Sequence, residues 1–181
     1  IDGILIPGGF GSRGAEGKIL TSKFARENNI PFLGICLGLQ CAVIDFARHV
    51  CNLKDANSTE FNPKSKQPVI EIMESQKAIK IKGGTMRLGS YDCDILPNTK
   101  AAKIYKKKTI SERHRHRWEV NNKYVKQMQS KGLTFSGMNN DLGVVETIEL
   151  SNHPWFIGCQ FHPEKSSLAG EKFIDYFLTL T

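Results

Sequence analysis

Ile30 to Cys41, I-P-F-L-G-I-C-L-G-L-Q-C, constrains the fold of this chain more than any other stretch. Phe32 to Ile35 is a short apolar run that reads as a buried strand, and it ends at Cys36 between Gly34 and Gly38. Beyond it, Leu39, Ala42, Val43, Phe46, Ala47 and Val50 recur near helical spacing. The pattern is therefore strand, sharp turn, helix, with a thiol on the turn. G-x-C-x-G is the cysteine form of a nucleophile elbow, in which a Cβ on either flanking residue would crowd a strained turn. The helix N-terminus that follows is expected to favour thiolate over thiol. The same pattern also fits a buried, inert cysteine in a glycine-rich turn.

A second glycine-rich turn precedes the elbow. Asp2 to Ile6 reads as a strand running into P-G-G-F-G-S-R-G, Pro7 to Gly14. This spacing matches neither a dinucleotide fingerprint nor a P-loop. It reads instead as backbone kept bare so that its N–H groups can approach a ligand. Glu16 to Asn28 then reads as a helix with Ile19, Leu20, Phe24 and Ala25 facing inward. Alternating strands and helices predict an α/β fold, a three-layer sandwich with a mostly parallel central sheet. Sites in such sheets lie at the carboxyl ends of the strands, where both Gly9 and Cys36 fall.

Downstream, Leu53–Lys66 reads as a loop, Val69–Met73 and Ala78–Lys82 as strands, and Gly83–Gly89 as a glycine-rich loop carrying Arg87. Ala101–Tyr105 fits a short helix and Asn122–Lys131 a longer one, with Tyr124, Val125 and Met128 inward. Glu112–Asn121 is densely charged around an apolar end. Leu133–Met138, Val144–Leu150 and Trp155–Phe161 read as strands, and Leu168–Leu180 as a terminal helix with Phe173, Ile174, Phe177 and Leu178 on one face. The last strand runs into His162-Pro163-Glu164. In extended backbone His162 and Glu164 share a side, so a carboxylate can orient an imidazole that reaches outward. A plain His-Pro turn is the competing reading.

The chain has 181 residues, enough for one domain with a real core. Its five cysteines form no C-x-x-C pair, which argues for reduced thiols and a cytoplasmic setting. No apolar run has the length of a membrane span, and the histidines lack metal-ligand spacing. The net charge of +7 draws on a cluster from Lys100 to Arg117 without aromatic interleaving, which reads as a solvated face rather than a nucleic-acid surface. Ile1 already sits inside a strand pattern, so a fragment of something longer is expected.

P-G-G, G-I-C-L-G-x-Q and Q-F-H-P-E, in that order, resemble the class I glutamine amidotransferases. F-G-S-R-G, D-A-N-S-T-E-F, G-G-T-M-R-L-G and E-R-H-R-H-R-W-E-V-N narrow the resemblance to the glutaminase domains of the CTP synthase family. The resemblance implies a flavodoxin-like amidotransferase fold with small additional β elements over residues 1–181. It implies a triad of Cys36, His162 and Glu164, with oxyanion donors at Gly9 and Leu37. L-Glutamine would meet Gly9, Leu37, Gly38, Gln40, Glu60, Arg117 and Trp118, with Glu60 on the α-ammonium and Arg117 on the α-carboxylate. GTP, an activator in the family, would act through Phe10, Arg13 and Arg87. No cofactor is implied within this domain; ATP and Mg belong to a synthetase domain that aminates UTP in a full-length homo-oligomer. The chain departs from the family after Glu164, where K-S-S-L-A-G stands in place of F-x-S-x-P, and Trp118 replaces the more usual Tyr or Phe. The alternatives are another Cys-His hydrolase, such as a γ-glutamyl hydrolase or PfpI-like peptidase, and a non-catalytic glutamine- or nucleotide-sensing module.

Overall fold

Two glycines on β2 (Phe32–Ile35) and β10 (Phe156–Cys159) let one helix lie directly on the sheet. A Cβ on Gly34 would stand 2.7 Å from the Gly38 carbonyl carbon, and one on Gly158 would stand 3.1 Å from Leu39 Cβ. That helix is α2 (Leu37–His49), almost wholly buried. The computed structural model describes residues 1–72, 86–165 and 171–181. Among these, the remaining helices are α1 (Ala15–Glu27), α3 (Lys100–Tyr105), α4 (Val125–Gln129) and α5 (Glu171–Leu178). The other strands are β1 (Ile4–Ile6), β3 (Ala56–Ser58), β4 (Gln67–Ile72), β5 (Arg87–Ile95), β6 (Thr109–His116), β7 (Trp118–Val120), β8 (Leu133–Asn139) and β9 (Val144–Leu150).

The described strands form a 7-stranded sheet in the order β1-β2-β10-β9-β8-β5-β6 and a 3-stranded sheet in the order β3-β4-β7. The α/β class holds, but the large sheet is mixed rather than mostly parallel. β1, β2 and β10 pair in parallel, while β10–β9, β9–β8, β8–β5 and β5–β6 are antiparallel. The turn between β8 and β9 is a short hairpin connection of the kind that antiparallel neighbours allow, while α3 lies between β5 and β6. The two faces of the sheet carry separate apolar clusters. Phe32 and Phe156, stacked at 4.3 Å, join the cluster under α2, while Leu33, Ile35 and Ile157 join the cluster with Phe161, Phe173 and Phe177. The alternation along β2 and β10 is that of strands buried on both sides.

Several sequence expectations shift. In α1, Ala15, Ile19, Ser22 and Ala25 are buried, whereas Leu20 and Phe24 are 57% and 48% exposed. On the inward face Arg26 grips the fully buried Asp45 of α2 at 2.8 and 3.1 Å. Burial pushes the Arg26 guanidinium down, but Asp45 outweighs it and holds the group above its ordinary value. Leu178 is likewise exposed, leaving Phe173 and Phe177 as the buried face of α5. The loop expected over Leu53–Lys66 contains β3, and the charged stretch from Glu112 is mostly strand. The strand expected at Ala78–Lys82 lies outside the described residues. All five cysteines are free and buried.

Candidate active site

Cys36 leaves β2 with φ 52° and ψ −101°, a conformation that a side-chain-bearing residue adopts only under strain. Its backbone N–H donates to Cys159 O at 2.7 Å, extending the β2–β10 ladder one step past the end of β2. The elbow is thereby tied to the strand that delivers the histidine. On its other side Gly38 presses α2 against β1: a Cβ there would stand 2.2 Å from Ile6 O. The helix start, the cysteine and the ends of β1 and β10 are locked into one corner.

His162 follows β10 at the same edge of the sheet. Its backbone N–H donates to Arg113 O at 2.8 Å, and its Nδ1 bonds Glu164 Oε1 at 2.6 Å. The imidazole is buried, and Nε2 has no hydrogen-bond partner among the described residues. Burial pushes Glu164 up, but the His162 hydrogen bond, its own backbone N–H and the nearby positive charges hold it below the ordinary carboxylate value. Gly8 separates histidine from nucleophile: a Cβ on Gly8 would lie 2.7 Å from His162 Cε1 and 3.6 Å from Cys36 Cβ. Sequence reasoning singles out Gly9 and misses Gly8, although both stand in the same P-G-G. Gly9 lies against Leu37, whose Cδ2 would be 3.2 Å from an added Cβ.

The thiol itself departs from expectation. Burial pushes Cys36 up to about 12; the Leu37 N–H pulls it down, and Glu119, Glu164 and Glu60 push it further up. The elbow alone does not supply a thiolate, so the proton must leave to a base at the moment of attack. Glu164→Gln should therefore cut turnover by about 10²–10⁴-fold while shifting the melting temperature by only a few degrees. Equal losses of activity and stability would make Glu164 a structural residue.

The other sequence candidates fall into two groups. Glu60 is half-buried and accepts from the Gly11 N–H at 2.8 Å, which ties it to the Pro7–Gly14 loop. Burial raises its carboxyl above the ordinary value, with the Gly11 bond opposing. Trp118 opens β7, half-buried, and its Nε1 donates to Thr59 Oγ1 at 3.1 Å. Arg117 sits half-buried between β6 and β7, while Arg113 and Arg115 point outward as solvated charges. Phe10 and Arg13 are exposed on the first glycine loop.

Gln40 and Arg87 are placed differently from expectation. Gln40 is 3% exposed, and its Nε2 donates to Trp118 O at 2.9 Å and to Gln160 Oε1 at 3.3 Å. Its amide nitrogen is thus engaged inside the protein. Arg87, expected to face a nucleotide, is 3% exposed at the start of β5. It pairs with Glu119 at 3.2 Å and with Glu146, and its guanidinium lies 4.4 Å above the Tyr91 ring. Both terminal nitrogens are taken by carboxylates, so it holds β5, β7 and β9 together rather than projecting into solvent. His116 joins this cluster through Glu119 at 2.7 Å, and His114 approaches Glu146 at 3.6 Å. Burial, with Arg87, His116 and His162 adding to it, keeps His114 neutral. Among the described residues no group of His, Cys, Asp and Glu side chains has the arrangement of a metal site.

A family model described as glutamine amidotransferase class-I matches residues 1–179. The chain belongs to the class I glutamine amidotransferases. Within them it is similar to CTP synthases: 59% identical over 170 residues to that of Flavobacterium johnsoniae, and 56% identical over 167 residues to that of Moorella thermoacetica. These matches cover 93% and 92% of the chain but 32% and 31% of the relatives, so it spans about a third of their length. Among solved structures, the glutaminase domain of Trypanosoma brucei CTPS with bound acivicin superposes with a TM-score of 0.91 at 39% identity, covering 99% of this chain and 70% of that one. The fold is shared more distantly by a glutamine amidotransferase from Thermotoga maritima, with a TM-score of 0.52 at 14% identity over 97% of this chain and 62% of that one. In this amidotransferase Cys36 and His162 follow two adjacent parallel strands, β2 and β10, and Glu164 bonds His162.

Proposed function

We propose that the chain is a glutaminase that releases ammonia from L-glutamine through a Cys36 thioester. The observation that carries this reading is the pairing at His162: Nδ1 is held by Glu164, while the buried Nε2 has no partner among the described residues and lies across Gly8 from Cys36. In the first step the Cys36 proton passes to Nε2 and the sulfur attacks the side-chain amide carbon of glutamine. The oxyanion is received by the Leu37 and Gly9 backbone N–H groups, each such donor being worth about 10²–10³ in rate. Collapse breaks the C–N bond, and His162 returns its proton to the departing nitrogen, giving ammonia and a γ-glutamyl thioester. Water then attacks the thioester while His162 takes its proton; the sulfur leaves and glutamate is released. Glu164 holds the ring tautomer and stabilises the imidazolium in both halves.

Glutamine is bound by Glu60 at its α-ammonium and by Arg117 at its α-carboxylate, with Gly9, Leu37, Gly38 and Trp118 lining the pocket. Burial raises the Glu60 carboxyl, and an ammonium beside it favours the charged form. Similarity to CTP synthases supports a wider setting: the ammonia passes to a synthetase domain that aminates UTP with ATP and Mg, in a homo-oligomer of the cytoplasm. GTP activates through Phe10 and Arg13, both exposed on the loop that carries Gly9. Among the described residues no helix is long and apolar enough to cross a membrane.

The test is covalent. A chloroketone analogue of glutamine should alkylate Cys36, located by peptide mass spectrometry, and excess glutamine should block it. Folded protein that forms no adduct, or an adduct on another cysteine, overturns the reading.

A further inference from the structure

Gln160 stands two residues before His162, is fully buried, and belongs to no role assigned above. Its Nε2 lies 3.6 Å from Cys36 Sγ, and its Oε1 lies 3.3 Å from Gln40 Nε2. The orientation of both amides follows from one fixed point. Trp118 O is a backbone carbonyl and can only accept, so the Gln40 group 2.9 Å from it is the NH₂. That NH₂ requires an acceptor in its second neighbour, which places Oε1 of Gln160 toward Gln40. The Nε2 of Gln160 is then turned to the sulfur with no freedom to flip. A donor aimed at sulfur favours the thiolate over the thiol.

We infer that Gln160 is a positioning residue that donates a hydrogen bond to the Cys36 sulfur, its direction set by a relay running from the Trp118 carbonyl through Gln40. The inference rests on the glutaminase reading for its catalytic consequence, but the hydrogen bond itself is testable without glutamine. The donor fixes the side-chain rotamer of Cys36 on its strained turn and stabilises the charge that develops as the proton passes to His162. Main-chain bonds brace the relay, since Gln160 N donates to Glu146 O at 2.8 Å and the Cys36 N–H to Cys159 O. A glutamine at position 160 supplies the donor without adding a group that titrates.

The experiment compares the intact protein with Gln160→Leu and with the isosteric Gln160→Glu. The readout is the pH profile of Cys36 alkylation by iodoacetamide, a reagent indifferent to the glutamine pocket. The ionisable groups around the thiol are Cys159 on β10, His162 and Glu164 after it, Glu119 on β7 and Glu60 after β3; both substitutions leave them in place. Gln160→Leu should move the profile up by about one pH unit and slow alkylation at neutral pH about tenfold. Gln160→Glu, which sets a carboxylate against the sulfur, should move it further in the same direction. Glutamine turnover should fall in kcat with KM within about threefold. Coincident profiles in all three proteins would overturn the inference, as would a rise in KM with an unshifted profile, the sign of a substrate contact. If Gln160→Leu does not fold, Gln160→Glu carries the test. Shifted alkylation in a protein that never turns over glutamine would sink the glutaminase reading and leave this one standing.

Discussion

Cys36→Ser should leave a folded protein whose release of ammonia from glutamine falls by at least about 10⁴-fold. The substitution keeps the size of the side chain at a position where the backbone already has φ 52°. Stability should therefore change by no more than about 1 kcal/mol. The loss is chemical. A hydroxyl holds its proton far more tightly than a thiol and is the weaker nucleophile, and His162 with Glu164 is arranged for sulfur chemistry at this site. Ammonia release measured by a coupled assay, beside a thermal melt, checks both halves. Turnover within tenfold of the original would mean that Cys36 does not form the covalent intermediate, and attention would move to water activated by His162 alone.

Gly38→Ala carries the largest expected cost in stability. The added Cβ would fall 2.2 Å from Ile6 O and 3.1 Å from both Ile6 C and Ile6 Cβ. These are mainly backbone atoms of β1, so relief requires α2 to lift from the sheet rather than a side chain to turn. A loss of at least about 3 kcal/mol is expected, read as a melting temperature lower by about 6–12 °C. Gly17→Ala is the control. Gly17 lies inside α1 with open space where its Cβ would go, and the change should stabilise the protein by roughly 0.5–1 kcal/mol. If Gly38→Ala melts with the original protein, the elbow is looser than its packing implies.

The elbow was legible because its signals agree: an apolar run of strand length, glycines at the crowded positions, and helical spacing just beyond. His162 and Glu164 stand out as candidates because they follow an apolar strand and because Q-F-H-P-E carries part of the family resemblance. The direction of the strands was not legible, since an apolar run reads the same whether its neighbour is parallel or antiparallel. β6 escaped notice because Arg113 and Arg115 on its outer face and Glu112, His114 and His116 on its inner face are all polar, which hides the period of two. Leu20 and Phe24 face solvent because α1 buries the small face of Ala15, Ser22 and Ala25 beside Ile19, with Arg26 paired to Asp45, a face that apolar periodicity does not pick out. Gln160 stands inside Q-F-H-P-E, but an amide between Cys159 and Phe161 shows no role of its own until its partners from other parts of the chain are in place. The family resemblance points Arg87 of G-G-T-M-R-L-G toward a nucleotide, and only the fold brings Glu119 and Glu146 to it.

The level pairing of Ile35 with Cys159 decides where this family can change the length of its chain. One residue added between Cys159 and His162 would swing the imidazole to the opposite side of the sheet and strand it behind the nucleophile. One residue added to the exposed turn at 140–143, between β8 and β9, would displace only a hairpin tip. Insertions and deletions among descendants of this sequence should therefore accumulate at the far hairpins and spare the short span from β10 to the histidine.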